Sequence, residues 1–200
     1  MCLAPQGRSG EALSAMQAAL RLDPLSPVLS ATSSSVFLYA RRYDEAVAAA
    51  KHTIDLASFA PAHFFLSQAL VQLGQLDTAI AHAELAVELS GRSSETLAAL
   101  GHAVAVSGDA SRARSIRAAL EERSQSVYVS PAHIAVIDTG LGELALALDR
   151  LEEAVKVRAA DLVWLAVKPS YDALRGEPRF QAVLDTVGLA SVRLPVAPTR

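Results

Sequence analysis

The side chains here best suited to acid–base or metal chemistry are five histidines: His52, His63, His82, His102 and His133. A zinc site needs histidines or cysteines at short, recurring spacings. No H-E-x-x-H occurs, and the single cysteine, Cys2, has no partner for a disulfide or a metal. Gly140-Leu141-Gly142 carries two glycines of a dinucleotide fingerprint but lacks the third, and no strand precedes it. No G-x-S-x-G nucleophile elbow exists. The hydroxyl run Thr32 to Ser35 reads as small packing residues, and Glu121-Glu122 and Glu152-Glu153 read as solvated pairs on helix surfaces. The expectation is a chain that is not an enzyme: no catalytic residue, no metal ligand and no cofactor.

The bulk electrostatics narrow the partners. A net charge of −3 supplies no basic field for a phosphate backbone, so direct nucleic-acid binding is not expected. Arg112, Arg114, Arg117 and Arg123 form the one basic cluster, expected to be the wet face of a single helix. Leu56 to Leu76 is free of formal charge, yet it contains Pro61, His63, Gln68, Gln72 and Gly74. That reads as a buried helix with its loop, not a membrane span. The first residues show no charged segment followed by an apolar run. A cytoplasmic location is expected, or a periplasmic one behind a membrane helix upstream.

The elements that would position any site come from a repeat. Ala12, Ala46, Ala79, Ala113 and Ala147 are spaced 34, 33, 34 and 34 residues apart. Five residues before each stand Gly7, Arg41, Gly74, Gly108 and Gly142. Glycine accepts a positive φ and ends a helix, and the next helix opens a few residues later. Asp44 and Asp77 fall where a carboxylate meets the positive end of the helix dipole. Twelve residues before the last four alanines are Ser34, Ser67, Gly101 and Ala135. A small residue on each of two helices lets them cross closely. Leu66, Leu70 and Leu73 on one helix, and Ile80, Ala83 and Val87 on the next, supply helical apolar spacing.

This pattern resembles the tetratricopeptide repeat family. Residues 60–93, APAHFFLSQALVQLGQLDTAIAHAELAVELSGRS, carry it best, and residues 94–127 nearly as well. Arg117 departs from it, standing where the family has a large apolar residue. The resemblance implies an all-α fold, a right-handed α-α superhelical solenoid of antiparallel helix pairs. The expected organisation is one solenoid over 1–190. It comprises a half repeat at 1–26, repeats at 27–59, 60–93, 94–127 and 128–160, and a C-terminal cap at 161–190. Residues 191–200 are expected to be a disordered tail. The half repeat lacks its first helix, which suggests a piece of a longer chain.

The resemblance also implies a role. First helices of such repeats line a concave groove, here about 28–40, 61–73, 95–107 and 129–141. Their formal charges are Glu95 and Asp138, with no Lys or Arg. An acidic chaperone tail, which needs cations, is therefore not expected. The groove residues carried over are Leu38, Tyr39, Phe64, Gln68, Val71, Gln72, Ala98 and His102. They imply a non-catalytic protein–protein interaction scaffold that binds a peptide or partner protein in a mildly apolar groove. The ending YDALRGEPRFQAVL (171–184) resembles the tails of repeat regions in bacterial winged-helix and adenylate-cyclase-like regulators. The alternative implied is the sensing or docking part of such a signalling protein, with the effector domain upstream.

Overall fold

A computed structural model describes residues 3–192 and 194. Cys2 and most of the expected tail lie outside the described residues. The helices are α1 (Ser9–Leu22), α2 (Pro27–Tyr39), α3 (Tyr43–Leu56), α4 (Ala60–Gln72), α5 (Leu76–Leu89), α6 (Ser94–Val106), α7 (Ala110–Ser124), α8 (Pro131–Gly140), α9 (Leu144–Lys156) and α10 (Pro178–Thr186). Two 3₁₀ turns, Ala160–Trp164 and Pro169–Leu174, separate α9 from α10. The described residues contain no strand. The described residues form an all-helical solenoid of stacked helix pairs.

Local chemistry sets each helix boundary. Ser26, Ser93, Asp109 and Ser130 cap α2, α6, α7 and α8, each side chain accepting a backbone N–H of the first turn. Pro27 and Pro131 occupy the first helical position, where no N–H is needed. The first helix of a pair ends in a left-handed residue. Gly74 and Gly142, both at φ 72°, are followed by the bonds Gln75 N–H to Leu70 O (3.0 Å) and Glu143 N–H to Asp138 O (2.9 Å). Arg41 takes the same conformation at φ 62°, with Arg42 N–H on Phe37 O at 2.9 Å.

The helices pack as pairs, α2 on α3, α4 on α5, α6 on α7 and α8 on α9. Helices α2, α4, α6 and α8 also pack in sequence against one another and form the inner layer. The crossing alanines Ala46, Ala79, Ala113 and Ala147 are fully buried. Opposite Ala46, the Ser34 hydroxyl donates to its carbonyl at 2.8 Å. Ser67, one repeat later, is buried with its oxygen unbonded. Gly101 serves a second close approach: a Cβ there would lie 2.7 Å from Ile137 Cδ1 on α8.

The structure refines the reading of the charged residues. Arg112, Arg114 and Arg123 of α7 are exposed, as expected of a wet face, whereas Arg117 is turned inward. Arg112 pairs with Glu84 at 2.5 Å, Arg114 with Glu143 at 2.9 Å, and Arg123 donates to the Arg92 carbonyl at 2.6 Å. Arg117 bonds Asp138 at 2.7 Å and also meets Glu143. Arg150 of α9 bonds the other Asp138 oxygen at 2.8 Å and also meets Glu121. Glu121 is thus an ion-pair partner, and so is Glu152, which takes Arg179 at 2.8 Å. Asp138 is not a groove charge: it is fully buried on the side of α8 that faces α7 and α9. Burial pushes its carboxyl upward, and the Arg117 and Arg150 guanidinium groups oppose that rise. The network accounts for Arg117 at an apolar position: it neutralises a buried acid on the next repeat.

Candidate functional site: an inner face crossed by the chain itself

An open concave groove would leave one side of each inner helix wet. Here they are covered almost all round: α4 buries Ala62, His63, Phe64, Leu66, Ser67, Ala69, Leu70 and Val71. Most of that burial comes from the neighbouring helices α2, α3, α5 and α6, and the segment 160–175 adds a partial cover through Trp164, Val167 and Lys168 to Ser170. After α9 the chain turns through Arg158, at φ 53°, and crosses the inner face. Its near side joins the terminal core. Leu162, Leu165, Ala166, Tyr171 and Leu174 pack with α8, α9 and α10 around Phe180. Ser130, the α8 cap, donates to Asp161 at 2.8 Å, and the Tyr171 hydroxyl donates to Ala132 O at 2.9 Å.

The far side of the same segment reaches the first full repeat. Val167 is buried in one cluster with Leu38, Tyr39 and Ala69, and partly buried Trp164 packs against it. The Trp164 and Tyr39 rings stack with centroids 5.0 Å apart. Arg41 bonds Asp172 at 2.8 Å; the arginine side chain is 5% exposed and the aspartate 44%. A left-handed arginine costs about 1–2 kcal/mol relative to an ordinary conformation. It stands where the next three repeats have glycine, and its guanidinium is what reaches Asp172. Val192 and Leu194 also pack against this cluster.

The eight expected groove residues therefore divide. Leu38 and Tyr39 lie beneath Trp164 and Val167 and offer no free surface, which corrects the expectation of an open groove at α2. Phe64, Gln68, Val71, Gln72, Ala98 and His102 share one pocket with Glu95, His133 and Val136. Ala99 also lines it, and its remaining wall is Lys168, Pro169 and Ser170 of the crossing segment. The reading of a cation-free inner face holds for the inner helices but not for the site, because Lys168 is brought to it from outside them. Lys168 is 6% exposed, and among the described residues no carboxylate pairs with it. Burial drives His102 down to about 4, so it is a neutral hydrogen-bonding group at physiological pH.

The other histidines are accounted for individually. His52 is exposed. His63 and His82 face each other, Nδ1 to Nδ1 at 3.0 Å, so one ring must donate and the other accept. Burial lowers both. Ser94, His133 and Asp161 line up as hydroxyl, imidazole and carboxylate, an order suggestive of nucleophilic catalysis. Ser94 Oγ lies 3.1 Å from His133 Nδ1. His133 Nε2 is 3.4 Å from Asp161, whose two oxygens instead accept the Ser130 hydroxyl at 2.8 and 3.0 Å. The carboxylate is engaged chiefly by the Ser130 cap and contacts the imidazole only at the longer distance. The three residues staple α6, α8 and the first 3₁₀ turn together. Sequence spacing had no way to reveal this set, since its members are 39 residues apart or more widely separated from Ser94. No group of three or more potential metal ligands occurs among the described residues. No helix among them is long and apolar enough to cross a membrane.

Residues 60–92 match the family model described as tetratricopeptide repeat. They span α4 and α5. The match supports the tetratricopeptide repeat family, whose members are in general non-catalytic modules that bind other proteins or peptides. No curated protein matches the chain.

Proposed function

We propose that this protein is a non-catalytic interaction scaffold whose partner docks on the inner face between α4 and the crossing segment. The observation that carries this reading is the pocket where Phe64, Gln68, Gln72, Ala98 and His102 from two successive inner helices meet Lys168 and Ser170. The free volume is about 20 Å³, so the apolar floor and hydrogen-bonding rim suit an extended peptide or a helix edge lying across the pocket, not a large side chain buried in it. A peptide or partner protein, not a nucleic acid, is the ligand.

The test begins with affinity capture using the whole chain, followed by measurement of the identified partner by calorimetry. Phe64→Ala and Gln72→Ala should each weaken binding about tenfold, which corresponds to about 1.4 kcal/mol. Glu122→Ala, on the outer helix α7, should leave it unchanged. Equal affinities for all three variants would discard the inner-face assignment. The alternative, a docking part of a bacterial regulator with its effector domain upstream, rests on the resemblance of residues 171–184 alone. An in-frame winged-helix or cyclase domain in the genomic sequence would support it.

A further inference from the structure

The crossing segment is held in two different ways. Toward α8 and α9 it is core, through Leu165, Tyr171 and Leu174. Toward α2 and α4 it makes contact through buried Val167, through Lys168, Pro169 and Ser170 at the α4 pocket, and through Trp164 and Asp172, which are only partly buried. Those groups have the pattern of a bound ligand. An aromatic ring lies on Tyr39, the Val167 side chain shares a buried cluster with Leu38 and Ala69, and the Asp172 carboxylate, which also takes Arg175 of its own segment at 2.7 Å, meets the buried Arg41. The receptor side shows the same specialisation, since Arg41 adopts a left-handed backbone at a position where glycine serves in the following repeats.

We propose that Trp164, Val167 and Asp172 are a built-in occupant of the α2–α4 end of the inner face, standing in for a peptide of the same chemistry. This rests on the inner face being the docking surface and adds what fits its self-covered end. The competing segment carries an aromatic residue, an aliphatic residue three positions on and an acid five further on. It binds by lifting the Trp164 and Asp172 contacts while the terminal core around Tyr171 and Phe180 stays folded. Intramolecular occupation gives the built-in segment a high effective concentration, so the resting state is closed.

The test uses a fluorescently labelled synthetic peptide spanning residues 160–176 and the full chain in three forms. The wild-type chain should bind it at least tenfold more weakly than the doubly substituted chain Trp164→Ala, Asp172→Asn, in which the internal occupant is weakened. Adding Arg41→Gln to that double variant should remove the gain. Circular dichroism on all three forms checks that the helices persist; both changed side chains of the double variant are partly or largely exposed, so folding should survive. Equal binding to wild type and double variant, or no binding to either, would overturn the proposal. Loss of helical signal in the double variant would overturn it too, because the contact would then be structural core. The readout does not involve Phe64 or Gln72. Failure here with success of those variants therefore separates this inference from the inner-face assignment.

Discussion

At the scale of the residue, burial decides what a histidine can do. His102 titrates near 4 in the folded chain against about 6.5 when unfolded, because its ring is desolvated at the pocket. A depressed base means that the unfolded state binds the extra proton first. The contribution to stability is therefore complete above pH 6.5 and lost as the pH falls toward 4. The loss is on the order of 3 kcal/mol, from about 1.4 kcal/mol per pH unit. Denaturation midpoints measured from pH 7 to pH 4 should fall, and His102→Gln should flatten that fall. An unchanged slope in the variant would assign the effect to His63, His82 and His133, which burial lowers as well. On spacing alone the five histidines fall in no recognised catalytic or metal motif. Spacing did not separate the wet one, the facing pair and the neutral pocket ring, because neutrality comes from neighbours distant in the chain.

At the scale of the element, the helices were readable and their charges were not. Inner helices expected at about 28–40, 61–73 and 95–107 appear at 27–39, 60–72 and 94–106, since capping serines, prolines and left-handed turns mark the ends locally. The role of Arg117 was invisible because its partner Asp138 sits on the next inner helix, 21 residues on. Asp138→Asn should cost about 1–3 kcal/mol. That is less than the 3–5 kcal/mol typical of breaking a buried pair, because Glu143 and Glu121 still hold the two guanidinium groups. Urea titration of the variant checks this; a loss above that range would mean the flanking glutamates do not compensate. The absence of Lys and Arg from the inner helices implies, from sequence, an apolar groove for a partner. The structure gives a second reason: part of that face is already covered by the chain itself.

At the scale of the whole molecule, the crossing segment turns a linear array into a closed one. Repeat arrays are normally stabilised by nearest neighbours alone, so each repeat answers only to the next. Here Arg41 and Asp172 meet across 131 residues of sequence, a contact that no periodic pattern announces. Helix pairs and stacked inner helices form from local contacts, whereas this clasp needs both ends of the array already in place. The consequence is kinetic. A contact that requires the repeats between its two ends to be folded first belongs after the rate-limiting step of folding. Trp164, the only tryptophan, sits at the clasp and reports it directly. Its fluorescence should change later than the far-ultraviolet helical signal in a refolding experiment. Arg41→Gln should speed unfolding and leave the folding limb nearly unchanged. Coincident signals, or a slowed folding limb, would place the clasp in the nucleus instead. A contact made last on folding is also the one released at least cost to the remaining structure, and the inner face opens where that contact lies.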